Sequence, residues 1–165
     1  MKIMITGCRG QLGNELQSII ASSKSEIGAI PEAVVGAQVF PVDIDTLDIT
    51  DMSAVSDFVL QNKPDVIINC AAMTNVDGCE SDYKTAFKVN ALGVKNLAVC
   101  AENIGAKFIH VSTDYVFAGN GTKPYCEWDK TDPQSVYGAS KALGEKSALA
   151  FCTKSFIVRT SWLYG

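Results

Sequence analysis

Histidine occurs once in 165 residues, and the six cysteines, at 8, 70, 79, 100, 126 and 152, never form a Cys-x-x-Cys pair. A zinc site needs closely spaced thiolate or imidazole ligands, so no metal site is expected. Positive charge is also scarce: 14 Lys and Arg face 18 Asp and Glu, a net charge of −4. That balance lacks the basic footprint of a general nucleic-acid binder. No apolar run approaches the ~20 residues that cross a bilayer, and no membrane partner is expected. The opening Met1-Lys2-Ile3-Met4-Ile5 reads as a strand rather than a secretory signal. A reducing cytoplasm is the expected setting. Charged residues make up 19% and apolar residues 47%, which excludes a disordered chain. The length suits one domain with a real core.

What is present is an alternation. Strand-like runs at Lys2–Thr6, Gln38–Val42, Asp65–Cys70, Ala106–Ser112 and Ser155–Thr160 are separated by helical patterns. Gln11–Ser22 carries Leu12, Leu16, Ile19 and Ile20 on one face, and Asp51–Gln61 turns Met52, Val55, Phe58 and Val59 inward. A long helix is expected over Ser81–Asn103, closed by Gly105, and another from Pro133 to about Phe151. Residues 23–37 read as an inserted loop and Asp114–Asp132 as a long one. Apolar strands separated by helices predict an α/β fold: a doubly wound parallel sheet of Rossmann type, covered on both faces.

The first strand runs into Thr6-Gly7-Cys8-Arg9-Gly10-Gln11-Leu12-Gly13, with glycines at 7, 10 and 13. Such a turn lets backbone approach a pyrophosphate, which then sits on the N–H groups of Gly10 to Leu12 at the helix start. An acidic residue should end the second strand and bond a ribose 2′-OH. Asp43 fits, although it lies 36 residues after Gly7 rather than the usual ~20. Arg9 could reach a 2′-phosphate instead, so both NADH and NADPH are expected to bind. Asp48 and Ile49 are candidates for the adenine edge. Tyr137 and Lys141 stand four apart on one helix face, where an ammonium is expected to lower the phenol pKa. The phenol could then protonate a carbonyl oxygen as hydride reaches its carbon. Thr113 closes a strand at the carboxyl edge, where ligands of such sheets bind. His110, in the same strand, reads as a satisfied structural histidine, and Glu80, Asp82 and Lys84 as a solvated helix start.

Taken together, these segments resemble the extended short-chain dehydrogenase/reductases, and among them the branch that reduces dTDP-linked 4-keto sugars. The resemblance rests on the glycine turn, Leu47-Asp48-Ile49-Thr50-Asp51, and Pro64-Asp65-Val66-Ile67-Ile68-Asn69-Cys70-Ala71-Ala72. It rests equally on Val111-Ser112-Thr113-Asp114-Tyr115-Val116-Phe117, on Val136 to Glu145, and on Arg159-Thr160-Ser161-Trp162-Leu163-Tyr164-Gly165. It implies a catalytic set of Thr113, Tyr137 and Lys141, with Thr113 on the C4 carbonyl, Tyr137 as proton donor and Lys141 on the nicotinamide ribose. It places Ala71, Ala72 and Thr74 along the adenosine-ribose side of the cofactor, and Asn90 near a water beside the lysine. Tyr115 and Trp162 would contact the sugar.

The implied reaction is NAD(P)H-dependent hydride transfer to C4 of dTDP-4-dehydro-L-rhamnose, giving dTDP-L-rhamnose for cell-surface polysaccharide. Another nucleotide-sugar reductase, epimerase or dehydratase is an alternative, and so is a non-catalytic regulatory subunit that keeps the dinucleotide fold. A homodimer is left open. No closing helix follows Trp162, so residues 1–165 read as the nucleotide-binding part of a longer protein whose substrate domain is absent. Alone, this stretch is expected to be inactive and to expose an apolar face.

Overall fold

The structure, a computed structural model, describes residues 1–164; Gly165, last residue of the string that begins at Arg159, lies outside the described residues. The described strands are β1 (Lys2–Thr6), β2 (Gln38–Val42), β3 (Val66–Asn69), β4 (Lys107–Thr113) and β5 (Ser155–Thr160). All pair in parallel, in the order β2-β1-β3-β4-β5. The chain moves one way from β1 to β2 and then returns across β1 to β3, so the direction of winding reverses at β1. Right-handed crossovers then put the first helix on one face and the later ones on the other. The strand ends at this reversal form the crevice where ligands of such sheets bind.

Helix α1 (Gln11–Ser22) covers Ile3 and Ile5 with Ile20 and Leu16. The opposite face is the main core. There Met4, Ile67 and Phe108 meet Val55 and Val59 of α2 (Met52–Asn62) and Val94, Leu97 and Ala101 of α5 (Val94–Ile104). Asp51 caps α2 by accepting from the Ser53 and Ala54 amides, a contribution of about 1 kcal/mol. Met52 shares a helix face with Val55 and Val59 but, in the first turn, stays 40% exposed. Gly105 ends α5 with φ 71, a left-handed turn that glycine adopts without strain.

The single helix expected over Ser81–Asn103 is instead a broken path. It runs through α3 (Val76–Ser81), α4 (Tyr83–Phe87) and a wide π-type turn (Lys88–Gly93) into α5. Asp82 leaves helical geometry, at φ −127 and ψ 67, and its carboxylate caps α4 at the Thr85 amide. Glu80 is more than a solvated acid, for its Oε1 accepts the Val136 amide and so caps the last helix, α6 (Val136–Phe151). Helices lie on both faces of the sheet, as expected. Beyond α1 the same face carries Phe156 and Val158 of β5, 53% and 44% exposed.

Candidate active site

Glycine geometry shapes the turn between β1 and α1. Gly7 has φ +63, and a Cβ there would lie 2.7 Å from the Ala71 nitrogen and 2.8 Å from the Cys70 carbonyl carbon. The exits of β1 and β3 can therefore touch only through a residue without a side chain. At Gly13 a side chain would run into the Gly7 carbonyl oxygen, so the first turn of α1 rests directly on the loop. Gly10 caps α1 with no side-chain bond to the first-turn amides. Gly10, Gln11, Leu12 and Gly13 line a cavity of about 710 Å³. Uncapped amides at the positive end of a helix dipole favour an anion.

Asp43 lines the same cavity where β2 ends. Its Oδ2 accepts the Arg9 amide at 3.0 Å and its Oδ1 the Ile44 amide at 2.9 Å. The Arg9 amide chiefly, and the Ile44 amide with it, hold the carboxyl below the usual carboxylate range. Arg9 itself is outside the lining. Its guanidinium pairs with Asp45, both side chains being largely in water, a contact of little weight that another anion could displace. Asp48 accepts from the Thr50 amide and hydroxyl, at 2.8 and 2.7 Å. Ile49 is buried against the bare Cα of Gly93. Asp48 and Ile49 both reach the cavity wall, as do Ala71, Ala72 and Thr74.

A buried chain of polar groups braces that wall from below. Thr6 donates to Asn69 Oδ1, which also accepts the Ala71 amide at 3.2 Å, and Asn69 Nδ2 meets His110 Nδ1 at 3.0 Å. Burial, and then the charge of Lys141, push His110 well below its ordinary pKa. It is therefore neutral, accepts at Nδ1 and carries its proton on an unpartnered Nε2. His110 is outside the cavity lining. Asn90, expected among the cofactor residues, is also behind the wall. It is fully buried, its Oδ1 accepts the Met73 amide at 2.8 Å, and its Nδ2 donates to Met73 O and Ser140 Oγ. These bonds clamp the loop after β3 to α6, and the π-type turn sets Asn90 at that depth.

Thr113, Tyr137 and Lys141 converge on the opposite side of the cavity. Ser135 caps α6 by accepting the Gly138 amide at 3.1 Å. At Gly138 and Gly144 side chains would strike the carbonyl oxygens of Tyr115 and Asn90, so α6 packs closely enough to bring both functional side chains over the sheet edge. Lys141 is 3% exposed. Its Nζ donates to Val111 O at 2.6 Å, and burial pushes its pKa down to about 8. The expected lowering of Tyr137 by Lys141 is not what the geometry produces. Burial raises the phenol, with the Thr113 hydroxyl pulling the other way, and one N–H of the lysine donates to Val111 O.

Tyr115 packs edge-on against Tyr137 at 5.5 Å between ring centres, half exposed at the cavity mouth. Trp162 also lines the mouth, 81% exposed. Sequence reasoning missed Met73, Cys70 and Leu163 on the wall. It also missed Glu145, buried one turn beyond Lys141 and gripped by Arg159. A Tyr-x-x-x-Lys-x-x-x-Glu row on one face was the available signal for Glu145; nothing local marks Met73. Among the described residues no group of three or more His, Cys, Asp or Glu could hold a metal ion, and no helix is long and apolar enough to cross a membrane.

The reversal in strand order and the glycine turn, with the Tyr–Lys face across from it, define an α/β fold of Rossmann type. Within that class, the family model described as the RmlD substrate binding domain matches residues 1–165, and the chain belongs to this family. A dTDP-4-dehydrorhamnose reductase of Escherichia coli is 40% identical over 165 residues, 100% of this chain and 52% of that protein. The crystal structure of a dTDP-4-dehydrorhamnose reductase from Clostridium acetobutylicum is 47% identical, with a TM-score of 0.89, over 100% of this chain and 55% of that one. A third, from Bacillus anthracis and solved in complex with NADP, is 40% identical with a TM-score of 0.87, over 99% and 54%. The chain thus spans about half the length of the curated relatives it matches.

Proposed function

We propose that residues 1–165 form the dinucleotide-binding and catalytic part of an NAD(P)H-dependent reductase that converts dTDP-4-dehydro-L-rhamnose to dTDP-L-rhamnose. The observation that carries this reading is that Thr113, Tyr137 and Lys141 line the same cavity as the uncapped start of α1. The names of the similar proteins speak for the same substrate.

The donor set fits a dinucleotide. The amides of Gln11 and Leu12 suit its diphosphate, the expected Gly10 amide being already given to Gly7 O at 3.0 Å; Asp43 or Arg9 suits the ribose or its 2′-phosphate, and Asp48 and Ile49 the adenine. When bound, the cofactor supplies a hydride to C4 of the sugar. The protein's share is the proton and the placement. Thr113 orients the C4 carbonyl by its hydroxyl. Tyr137 gives its proton to the carbonyl oxygen, which becomes the new hydroxyl, and is reprotonated from solvent. Reduction needs the phenol in its acid form, and burial keeps it there by raising its pKa. Lys141, still mostly an ammonium at neutral pH, has two N–H donors beyond its bond to Val111 O for the nicotinamide ribose. Tyr115 and Trp162 offer aromatic faces to the C–H side of a pyranose. Cytoplasmic placement agrees with six free thiols.

The test is Tyr137→Phe in the native gene product, assayed by loss of NAD(P)H absorbance with the keto sugar nucleotide. Turnover should fall ~10²–10⁴-fold while cofactor affinity is unchanged. Near-normal turnover would overturn the reading.

A further inference from the structure

Asp114 lies between two halves of the cavity mouth and has a separate task for each carboxylate oxygen. Its Oδ1 accepts the Thr113 hydroxyl at 3.1 Å, and its Oδ2 accepts the Ser161 hydroxyl at 2.6 Å. Thr113 and Thr160 are paired residues at the ends of β4 and β5, and Thr160 Oγ1 donates to Ser112 O at 3.2 Å. The two strand ends are thus laced together beyond their ladder. The next residue, Trp162, has φ +50, a left-handed conformation that a tryptophan rarely adopts. Its ring is mostly in water, yet it borders the cavity beside Asp114 and Tyr115. A conformation so unfavourable and so exposed is held by its neighbours, and the Ser161–Asp114 bond is the adjacent restraint.

The Thr113 hydroxyl has one proton to give. Its lone pair takes the Tyr115 amide at 3.2 Å, and its proton points to Asp114. A ketone oxygen in the cavity would compete with Asp114 for that proton. We propose that Asp114 is a positioning residue of the reduction, one that fixes the Thr113 hydroxyl at the rim and ties it through Ser161 to the segment presenting Trp162. When the threonine proton turns to the ketone, the carboxylate keeps its place through Ser161. This inference rests on the reductase reading above.

The experiment compares Asp114→Ala, Asp114→Asn and Ser161→Ala with the wild type as the native gene product. The readouts are kcat, the KM for the keto sugar nucleotide, and the Kd for NAD(P)H. Asp114→Ala should lower kcat about tenfold and raise the sugar KM, with the dinucleotide Kd within about twofold. Ser161→Ala should raise the sugar KM with a smaller effect on kcat. Asp114→Asn keeps an oxygen for Thr113 and offers an N–H to Ser161, so it should recover most of what alanine loses. A second readout is the fluorine resonance of Trp162 in 5-fluorotryptophan-labelled protein, assigned by its loss in Trp162→Phe. It should shift in Asp114→Ala and Ser161→Ala and stay in place in Lys146→Ala. An active wild type with unaltered kinetics in Asp114→Ala, or an unmoved Trp162 resonance, overturns this inference alone. A wild type that oxidises no NAD(P)H with the keto sugar overturns the reductase reading and the inference with it.

Discussion

Glu145 is 4% exposed and holds Arg159 by two hydrogen bonds, Nε to Oε1 at 2.9 Å and Nη2 to Oε2 at 2.7 Å. Glu145→Gln preserves the shape and removes the charge. The first consequence is an unpaired arginine. Breaking a buried ion pair costs about 3–5 kcal/mol. Arg159 keeps 22% of its side chain in water and a bond to Glu127 O, so the lower end, ~3 kcal/mol, is expected. The second consequence concerns Lys141. Burial pushes that lysine down to about 8, and Glu145 is the foremost charge opposing the fall. Without it the ammonium loses its proton at lower pH. The basic limb of the pH profile for kcat/KM should move toward neutrality. Urea unfolding at neutral pH of Glu145→Gln, Arg159→Met and the double variant reads the first effect, and a pH–rate series over about pH 6 to 9 reads the second. The double variant should cost less than the sum of the singles, because it leaves no charge unpaired. A loss under about 1 kcal/mol, the range of an exposed pair, together with an unmoved basic limb, would refute the reasoning.

Gly10→Val should abolish dinucleotide binding in a nicotinamide fluorescence titration and leave the melting curve nearly in place, since a Cβ there meets only Gly7 O, at 3.3 Å. Gly13→Val should unfold the protein, because its side chain strikes the same carbonyl far more closely. NADH and NADPH should bind within about tenfold of each other, under ~1.4 kcal/mol. Asp43 favours a free 2′-OH and Arg9, only loosely held by Asp45, can take a 2′-phosphate; a hundredfold preference in competitive titration would exclude this balance. Stability should rise as pH passes 8, where the unfolded chain still binds a proton that buried Lys141 gives up. Above pH 9 the unfolded Cys70 thiol ionises, whereas burial raises the folded one to about 11, and this term lowers stability again. Lys141→Met should remove the first rise in denaturant titrations, and a rise that persists would assign it to another group.

Local pattern was enough wherever one element's own periodicity sets its limits. The bounds of β1, α1, β2 and β5 can be read from residue order, because apolar alternation, a glycine turn and a stop signal all lie within the element. The residues of the glycine turn, Asp43, Thr113, Tyr137 and Lys141 could be singled out for the same reason, since their spacing is local and their chemistry follows from type. Tertiary structure decided what depends on partners remote in sequence. The path from Val76 to Ile104 breaks because Asp82 caps a new turn and Asn90 must reach both Met73 and Ser140. Asn90 therefore stands behind the cavity and not in it. The Tyr137 phenol is raised and not lowered because burial outweighs the Thr113 hydroxyl that opposes it. Asp114, Ser161 and Trp162 come together only because β4 and β5 pair in register at Thr113 and Thr160. Sequence spacing determines which residues share a helix face or a strand end; which atoms then compete for one proton depends on the depth and direction that packing gives them.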